Sequence, residues 1–301
     1  MWWLFEVIIF GYLIFGGAFL IDVGTSWDKF RGRSVVLAFA SVVMIGWVTI
    51  FYGSFIEPRT LVVREQVIDL IEDTETSFTV AVVADLHVGP YKGEAWVQKV
   101  VDRTMQLHAD IIVIPGDFIF SKAIEADMLE PLGELSAPLG VVAVTGNHDY
   151  TDNSQQYVVE TLVRLGITVL ENESIEISVD DQDIVLAGIS DLWFAGQPQE
   201  TMQGLTEEQL VILLSHNPDA VLYSSVNLAD LVIAGHTHGG QIRLPWIGSI
   251  ARLPTKLGND YDKGLFDYED QQLFISAGVS ETGPRARLFN PPEINLLTIN
   301  F

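Results

Sequence analysis

The chain begins with two long apolar runs. Residues 1–21 carry Glu6 as their one charged side chain, and residues 34–56 carry none. Neither run has a polar face, so burial of either as a core helix is disfavoured. Each is long enough to cross a hydrocarbon layer of roughly 30 Å as a helix. No Lys or Arg precedes the first run and no small-residue cleavage site follows it, which argues against a signal peptide. The pattern predicts a transmembrane hairpin over residues 1–56, joined by residues 22–33. A globular domain follows over 57–301, with Pro58 ending the second helix.

Beyond residue 57 the pattern changes to short apolar runs alternating with amphipathic stretches. Residues 78–84, 111–114, 141–144, 184–189, 210–214 and 231–234 read as strands, and 273–276 with 294–299 as a closing pair. Residues 94–107 place Trp96, Val97, Val100, Val101 and Met105 on one helical face. Residues 123–135 read as a second helix and 155–165 as a third, stopped by Gly166. The early strands are continuously apolar and the later ones alternate. That predicts an α/β domain of two packed sheets flanked by helices. Trp193 and Phe194 read as core, and His108 as a surface histidine at a helix end.

Charge narrows the partners. The formal net charge is −24, and residues 1–56 contribute nothing to it, because Glu6, Asp22 and Asp28 cancel Lys29, Arg31 and Arg33. So acidic a domain has no electrostatic reason to bind nucleic acid, and anionic lipid headgroups repel it. The basic loop of residues 22–33 predicts a cytoplasmic loop. Multi-pass insertion in the cell (inner) membrane would then leave the domain extracytoplasmic. Cysteine is absent, which excludes disulfides and thiolate ligands.

Five blocks of ligand-type residues stand at the ends of apolar runs: Asp85-Leu86-His87, Gly116-Asp117, Gly146-Asn147-His148-Asp149, Ser215-His216 and Gly235-His236-Thr237-His238. They hold five of the six histidines. Oxygen and nitrogen donors without sulfur suit Mn, Fe or Zn. At an extended strand end, Asp85 and His87 share a side, as do His236 and His238, so each pair serves one ion. One carboxylate can bridge two cations, and Asp117 is the natural bridge. Two such ions hold a hydroxide and clamp a phosphoryl group for in-line attack. Gly116, Gly146 and Gly235 let the backbone turn close to the ions, with Gly239-Gly240 doing likewise beside the substrate.

Taken in this order over residues 85–301, the blocks resemble the calcineurin-like metallophosphoesterase superfamily. Asp191-Leu192-Trp193, Ser215-His216-Asn217-Pro218-Asp219, the stretch from Gly235 to Pro245, Arg285-Ala286-Arg287 and Pro292-Glu293-Ile294 are similar to its membrane-associated branch, which includes UDP-2,3-diacylglucosamine pyrophosphatase-like proteins. The resemblance implies a four-layer α/β/β/α sandwich. It implies that Asp85, His87 and His238 hold one divalent ion and Asn147, His216 and His236 the other, with Asp117 bridging. It also implies that His148 protonates the leaving oxygen or stabilises phosphoryl charge and that Asp149 orients His148. Phe120 stands where many members have a second Asp, and Asp149 where protein phosphatases have Glu, which disfavours a phosphoprotein substrate. The expected activity is hydrolysis of a phosphodiester or pyrophosphate in a lipid-linked or nucleotide-type substrate. Arg243, Arg285 and Arg287 either neutralise a second phosphate or balance nearby acids. A general phosphodiesterase acting outside the membrane is the alternative, and an inert membrane scaffold is disfavoured because no ligand is missing.

Overall fold

The computed structural model describes residues 3–71, 74, 76–180 and 182–301. Two helices come first, α1 (Trp3–Thr25) and α2 (Arg33–Phe51), with a short 3-10 turn over Trp27–Lys29 in their connection. They pack antiparallel. The Trp47 indole donates to the Leu13 carbonyl at 2.8 Å and the Tyr12 hydroxyl to the Val43 carbonyl at 3.2 Å, so both polar tips are satisfied inside the hairpin. Both helices are long and apolar enough to cross a membrane, and most of their surface is exposed in the isolated chain. After α2 the helix widens into a π-type turn, Tyr52–Ile56, and closes with a 3-10 turn, Glu57–Arg59. The Gly53 carbonyl there accepts from the Arg287 amide at 2.8 Å, outside its own helix.

The globular part contains two six-stranded sheets. The first comprises β1 (Val62–Asp69), β2 (Ser77–Val82), β3 (Ile111–Pro115), β4 (Val141–Val144), β5 (Thr168–Val169) and β14 (Glu293–Asn300), in spatial order β1-β14-β2-β3-β4-β5. The second comprises β6 (Glu173–Val179), β7 (Gln182–Ile189), β8 (Leu210–Ser215), β9 (Leu231–Ala234), β12 (Gly264–Tyr268) and β13 (Gln271–Ile275), in order β12-β13-β9-β8-β7-β6. The central pairs β2–β3, β3–β4, β7–β8 and β8–β9 are parallel. A two-stranded ribbon, β10 (Arg243–Leu244) with β11 (Gly248–Ser249), stands apart from both sheets.

Side-chain alternation builds the layers. Ile111, Val113, Val142 and Val144 face Ile212, Leu214, Leu231 and Ile233 between the sheets. The intervening Ile112, Ile114 and Ala143 face outward onto α3 (Glu94–Met105) and α4 (Gln155–Arg164). On the other side, Val185, Val211 and Val232 meet Ala220, Val221 and Val226 from short 3-10 turns. Each fully buried aliphatic side chain stabilises the fold by about 1.5–3 kcal/mol. The result is the expected α/β/β/α order.

One local expectation is corrected. The segment 123–135 is a run of 3-10 turns, Ala123–Glu134, with Pro131 and Gly133 inside it, rather than an α-helix. The two closing runs are both strands, as expected, but they lie in different sheets. β13 lies beside β9 in one sheet, and β14 runs between β1 and β2 in the other.

Candidate metal centre

All five blocks meet where the C-terminal ends of the parallel strands of both sheets converge, the edge at which open α/β sheets place ligands. Asp85 and His87 follow β2, Asp117 follows β3, and Asn147 and His148 follow β4. His216 follows β8, and His236 and His238 follow β9. The two halves are tied across the sheets, because the Asp85 carboxylate accepts from the His236 amide at 3.1 and 3.3 Å.

The side chains form two overlapping clusters. In one, His238 Nε2 lies 3.1 Å from His87 Nε2 and 3.6 Å from Asp85 Oδ1. In the other, His216 Nε2 lies 3.0 Å from His236 Nδ1 and 3.2 Å from Asn147 Oδ1. Asp117 Oδ2 stands between them, 3.3 Å from His87 Nε2 and 3.1 Å from His216 Nε2. Each cluster includes three His or Asp donors close enough to share one ion.

Backbone carbonyls set the ring tautomers. A carbonyl only accepts, so the ring nitrogen facing it carries the proton. His216 Nδ1 donates to Pro115 O at 2.8 Å, His236 Nε2 to Pro254 O at 2.9 Å and His238 Nδ1 to Ser280 O at 3.2 Å. The opposite nitrogen of each ring faces into the clusters and is the one free to ligate. This donor set fits divalent cations of the Mn, Fe or Zn kind.

Electrostatics follow from this crowding. Burial pushes the Asp85 carboxyl up to about 7. Burial also holds His87 and His236 down at about 3, and His238 well below its usual value. Burial acts against a charge on His216, but the Asp117 carboxylate overcomes it and pushes that imidazole up to about 10. Asp117 in turn is held well below the usual range, because His216, His148 and His87 outweigh its burial. Three imidazoles are therefore in the neutral, ligating form at pH 7, and Asp117 is charged.

The local backbone departs from the extended strand ends expected for the Asp-x-His and His-x-His pairs. Asp85, His87, Asp117, His236 and His238 all have φ between 40° and 72°. Asp85 and His87 fall in one cluster because two left-handed residues fold the chain around it, whereas His236 and His238, expected to serve one ion, are parted by the same backbone, one to each cluster. Gly116, at φ 82°, and Gly146 both let the backbone come close. A Cβ on Gly116 would lie 2.6 Å from the Gly146 amide nitrogen, and one on Gly146 would overlap Asp117 Oδ1.

His148 and Asp149 sit beside the clusters. The His148 ring is 4.5 Å from that of His87 and is partly accessible. Asp149 does not orient it: His148 Nδ1 points to the Phe120 carbonyl at 2.5 Å. The Asp149 carboxylate faces the other way and collects backbone amides, from Gly146 and Phe118 at 2.8 Å, Asp117 at 3.1 Å and Ile119 at 3.3 Å. In a 3-10 turn adjacent side chains diverge, so neighbours in sequence do not serve each other. Burial and the charge of Asp117 push Asp149 up to about 7 against the pull of those amides.

The three arginines are corrected or reassigned. Arg287 is fully buried and donates to the carbonyls of Ala277, Gly278, Ser280 and Asn290, so it props the loop beneath His238 and Asp85 and is closed to substrate. Arg243 is paired with Asp262. Arg285 is paired with Glu6 of α1 at 3.5 Å. Trp193 and Phe194 are exposed rather than core. Trp193 stands edge-on to His236 at 4.7 Å and Phe194 stacks on Tyr150 at 4.9 Å, forming an apolar lip beside the metal centre. His108 is exposed and remote from the site, as expected.

Several contributors had no readable signal. The carbonyls of Pro115, Phe120, Pro254 and Ser280 act through the backbone, which every residue possesses. Asn290 donates from its side chain to the His238 carbonyl at 2.7 Å, while its amide donates to Glu57 at the exit of the helical hairpin. Asp191, fully buried, has one carboxylate oxygen without a hydrogen-bond partner, and burial pushes its carboxyl up to about 6.

Residues 78–240 match the family model described as calcineurin-like phosphoesterase. Phosphodiesterase YaeI of Escherichia coli is 28% identical, over 82% of this chain and 92% of its own. A bovine transmembrane protein with metallophosphoesterase domain is 29% identical, over 89% of this chain and 64% of its own. UDP-2,3-diacylglucosamine pyrophosphatase LpxG of Chlamydia muridarum is 26% identical, over 71% and 81%. The chain spans 56% of the length of a matching Caenorhabditis elegans relative. Because the family match covers more than half of the sequence and coincides with the strand ends that carry the clustered ligands, the chain belongs to the calcineurin-like phosphoesterase family.

Proposed function

We propose that this chain is a two-metal phosphohydrolase that cleaves a phosphodiester or pyrophosphate bond in a lipid-linked substrate at a membrane surface. The observation that carries the chemistry is the position of Asp117 Oδ2 between the two ligand clusters. Asp85, His87 and His238 hold one divalent ion, Asn147, His216 and His236 the other, and Asp117 bridges. Ions bound there supply Lewis acidity toward the phosphoryl oxygens and an acidified water. The reaction adds hydroxide to phosphorus and breaks one P–O bond, and the departing oxygen takes up a proton. His148, with Nδ1 committed to the Phe120 carbonyl, delivers that proton or stabilises phosphoryl charge through Nε2. Asp149 acts one step back, by fixing the loop of Asp117.

The closeness of the site to the helical hairpin supports a substrate at the membrane. The Arg285 guanidinium, paired with Glu6, lies over Phe55 of the hairpin exit and over the Tyr91 ring, at 5.5 and 5.1 Å. Tyr91 packs on Phe120, and Phe120 on His148. Two rings thus separate the hairpin from the site. The Trp193–Phe194 lip offers apolar contact to an acyl chain or a base.

The test is hydrolysis of UDP-2,3-diacylglucosamine by the Mn²⁺-loaded full chain, with Asp117→Asn as control. Release of UMP by the native chain alone supports the reading. A second reading, a general phosphodiesterase outside the cytoplasm, is favoured by Lys29 and Arg31 between the two helices and Arg33 at the start of α2. Hydrolysis of bis(p-nitrophenyl) phosphate without UMP release, together with a C-terminal reporter active outside the cytoplasm, would select it.

A further inference from the structure

The β10–β11 ribbon projects an apolar tip that nothing among the described residues covers. Trp246 is 102% exposed and Ile247 72%, and Leu244, Ile250 and the adjacent Phe289 are exposed as well. The turn Leu244-Pro245-Trp246-Ile247, closed by the Ile247 amide on the Leu244 carbonyl, has Pro at its second position and a positive φ at its third. Glycine is the usual occupant there, yet this chain places its bulkiest residue at φ 66° and in solvent. Phe289 repeats the pattern at φ 53°. Two strained and exposed aromatic residues are a local conflict of the kind found at functional surfaces.

The surroundings identify the occupant. The ribbon is joined to the helical hairpin through one residue. Ile242 bridges Leu288, the Arg243 amide donates to the Leu288 carbonyl, and the Leu288 side chain lies against Gly53 at the hairpin exit. The stretch around the ribbon is also poorer in acid than the rest of the chain, with Arg243 paired to Asp262 just beyond it. No Asp or Glu occurs between residues 231 and 259, where Arg243, Arg252 and Lys256 lie, although the chain as a whole carries −24. Arg252 and Lys256 are exposed. An exposed Trp at an apolar tip, flanked by exposed cations and continuous with a membrane-crossing hairpin, matches a bilayer interface with anionic headgroups.

We propose that the β10–β11 tip and Phe289 dock into the same bilayer as the α1–α2 hairpin, forming a second membrane contact whose basic flank takes anionic lipid headgroups. Pro254, in the segment after the ribbon, supplies the carbonyl that fixes His236, so a docked ribbon holds the site at lipid level. This rests on the reading of the hairpin as membrane-spanning, and the experiment separates the two.

The chain contains no cysteine, so single cysteines report position directly. Ile247→Cys, Val42→Cys and Glu207→Cys, each carrying an environment-sensitive fluorophore, are compared in the full chain in nanodiscs with and without phosphatidylglycerol. Val42 is in α2, and Glu207 precedes β8 at the end of the sheet away from His216. The expectation is strong quenching by lipid-borne nitroxide at Ile247 and Val42 and none at Glu207. Arg252→Gln with Lys256→Gln should remove the dependence on phosphatidylglycerol. Quenching at Val42 with Ile247 as accessible to water as Glu207 would overturn the docking and leave the hairpin standing. Absence of quenching at Val42 would remove the hairpin reading and the docking with it. Protection of Ile247 that follows protein concentration in detergent would assign the face to a second copy and also overturn the proposal. As a functional arm, Trp246→Asp with Ile247→Asp should lower hydrolysis of a vesicle-borne lipid diester at least tenfold and leave a soluble diester within twofold. Equal rates on both substrates would count against it.

Discussion

Truncating Asp149 probes how the Asp117 carboxylate is held. Four backbone amides converge on the two oxygens of Asp149, which is fully buried. Asp149→Ala leaves those donors without partners in a dry site. Each unsatisfied buried donor costs about 1–3 kcal/mol. The four share one side chain and water can enter the new space, so the loss should resemble that of breaking a buried charge network, about 3–5 kcal/mol. Asp149→Asn keeps one acceptor oxygen but turns an NH₂ toward two amides, and should cost roughly half as much. The catalytic effect is indirect. Asp117 sits at φ 57°, and without its clamp the loop relaxes. A displacement of about 1 Å at a reacting centre can cost on the order of 10²-fold in rate. The assay pairs kcat/KM on bis(p-nitrophenyl) phosphate at saturating Mn²⁺ with urea unfolding of the same detergent-solubilised protein. Asp149→Ala with native activity and an unchanged unfolding midpoint would refute the clamp.

Other outcomes follow from the same geometry. Asp117→Asn should abolish turnover and retain the fold by circular dichroism; near-native activity would rule out bridging. His148→Ala should lower kcat by about 10²–10⁴-fold with metal content unchanged by elemental analysis, and a loss of metal would instead make His148 a ligand. Metal uptake should release protons. Burial holds Asp85 protonated below about 7, and Asp117 holds His216 protonated below about 10, so cations displace protons from both. Affinity should therefore rise as pH increases through these values. Calorimetry at pH 8 in two buffers of different ionisation heat measures the release, and equal heats would contradict it. Arg287→Met should destabilise the domain by about 3–5 kcal/mol, lowering Tm by about 10 °C, with KM little changed. A raised KM at constant Tm would return Arg287 to the substrate.

The strands leading into the ligands could be read because both of their faces are buried. Residues 111–114 and 231–234 are apolar without a break, and a short unbroken run that stops at Gly-Asp or Gly-His fits a buried strand opening into a ligand loop. β1 could not be read that way. Its residues Arg64, Glu65 and Gln66 are exposed, and it exists because its backbone pairs in parallel with β14. The same distinction divides the site. Side chains of ligating type carry a chemical signature, so the seven that the structure clusters could be named before any geometry. The groups that orient them are carbonyls and amides, which carry none. Asp149 was misassigned for that reason, since adjacency to His148 suggested a partner where the turn directs the carboxylate to four amides. Whole-chain charge is coarse in a similar way, because a total of −24 does not show the acid-free stretch between residues 231 and 259.

The left-handed backbone at the ligands raises an energetic question that side-chain identity does not answer. Five non-glycine residues of the site have positive φ, and each costs on the order of 1–3 kcal/mol. Their sum is comparable to the whole stability of an ordinary domain, about 5–15 kcal/mol. Such a conformation persists only where surrounding bonds over-determine it. Asp149 holds the Asp117 loop, the Asp85 carboxylate holds the His236 amide, and Asn290 and Arg287 hold the chain beneath His238. The last two are themselves anchored to the helical hairpin, Asn290 through Glu57 and Arg287 through the Gly53 carbonyl. Part of the scaffold that holds one ligand cluster in its strained form is therefore the exit of the hairpin. The hairpin does more than precede the domain, because the course of its exit bears on where His238 stands.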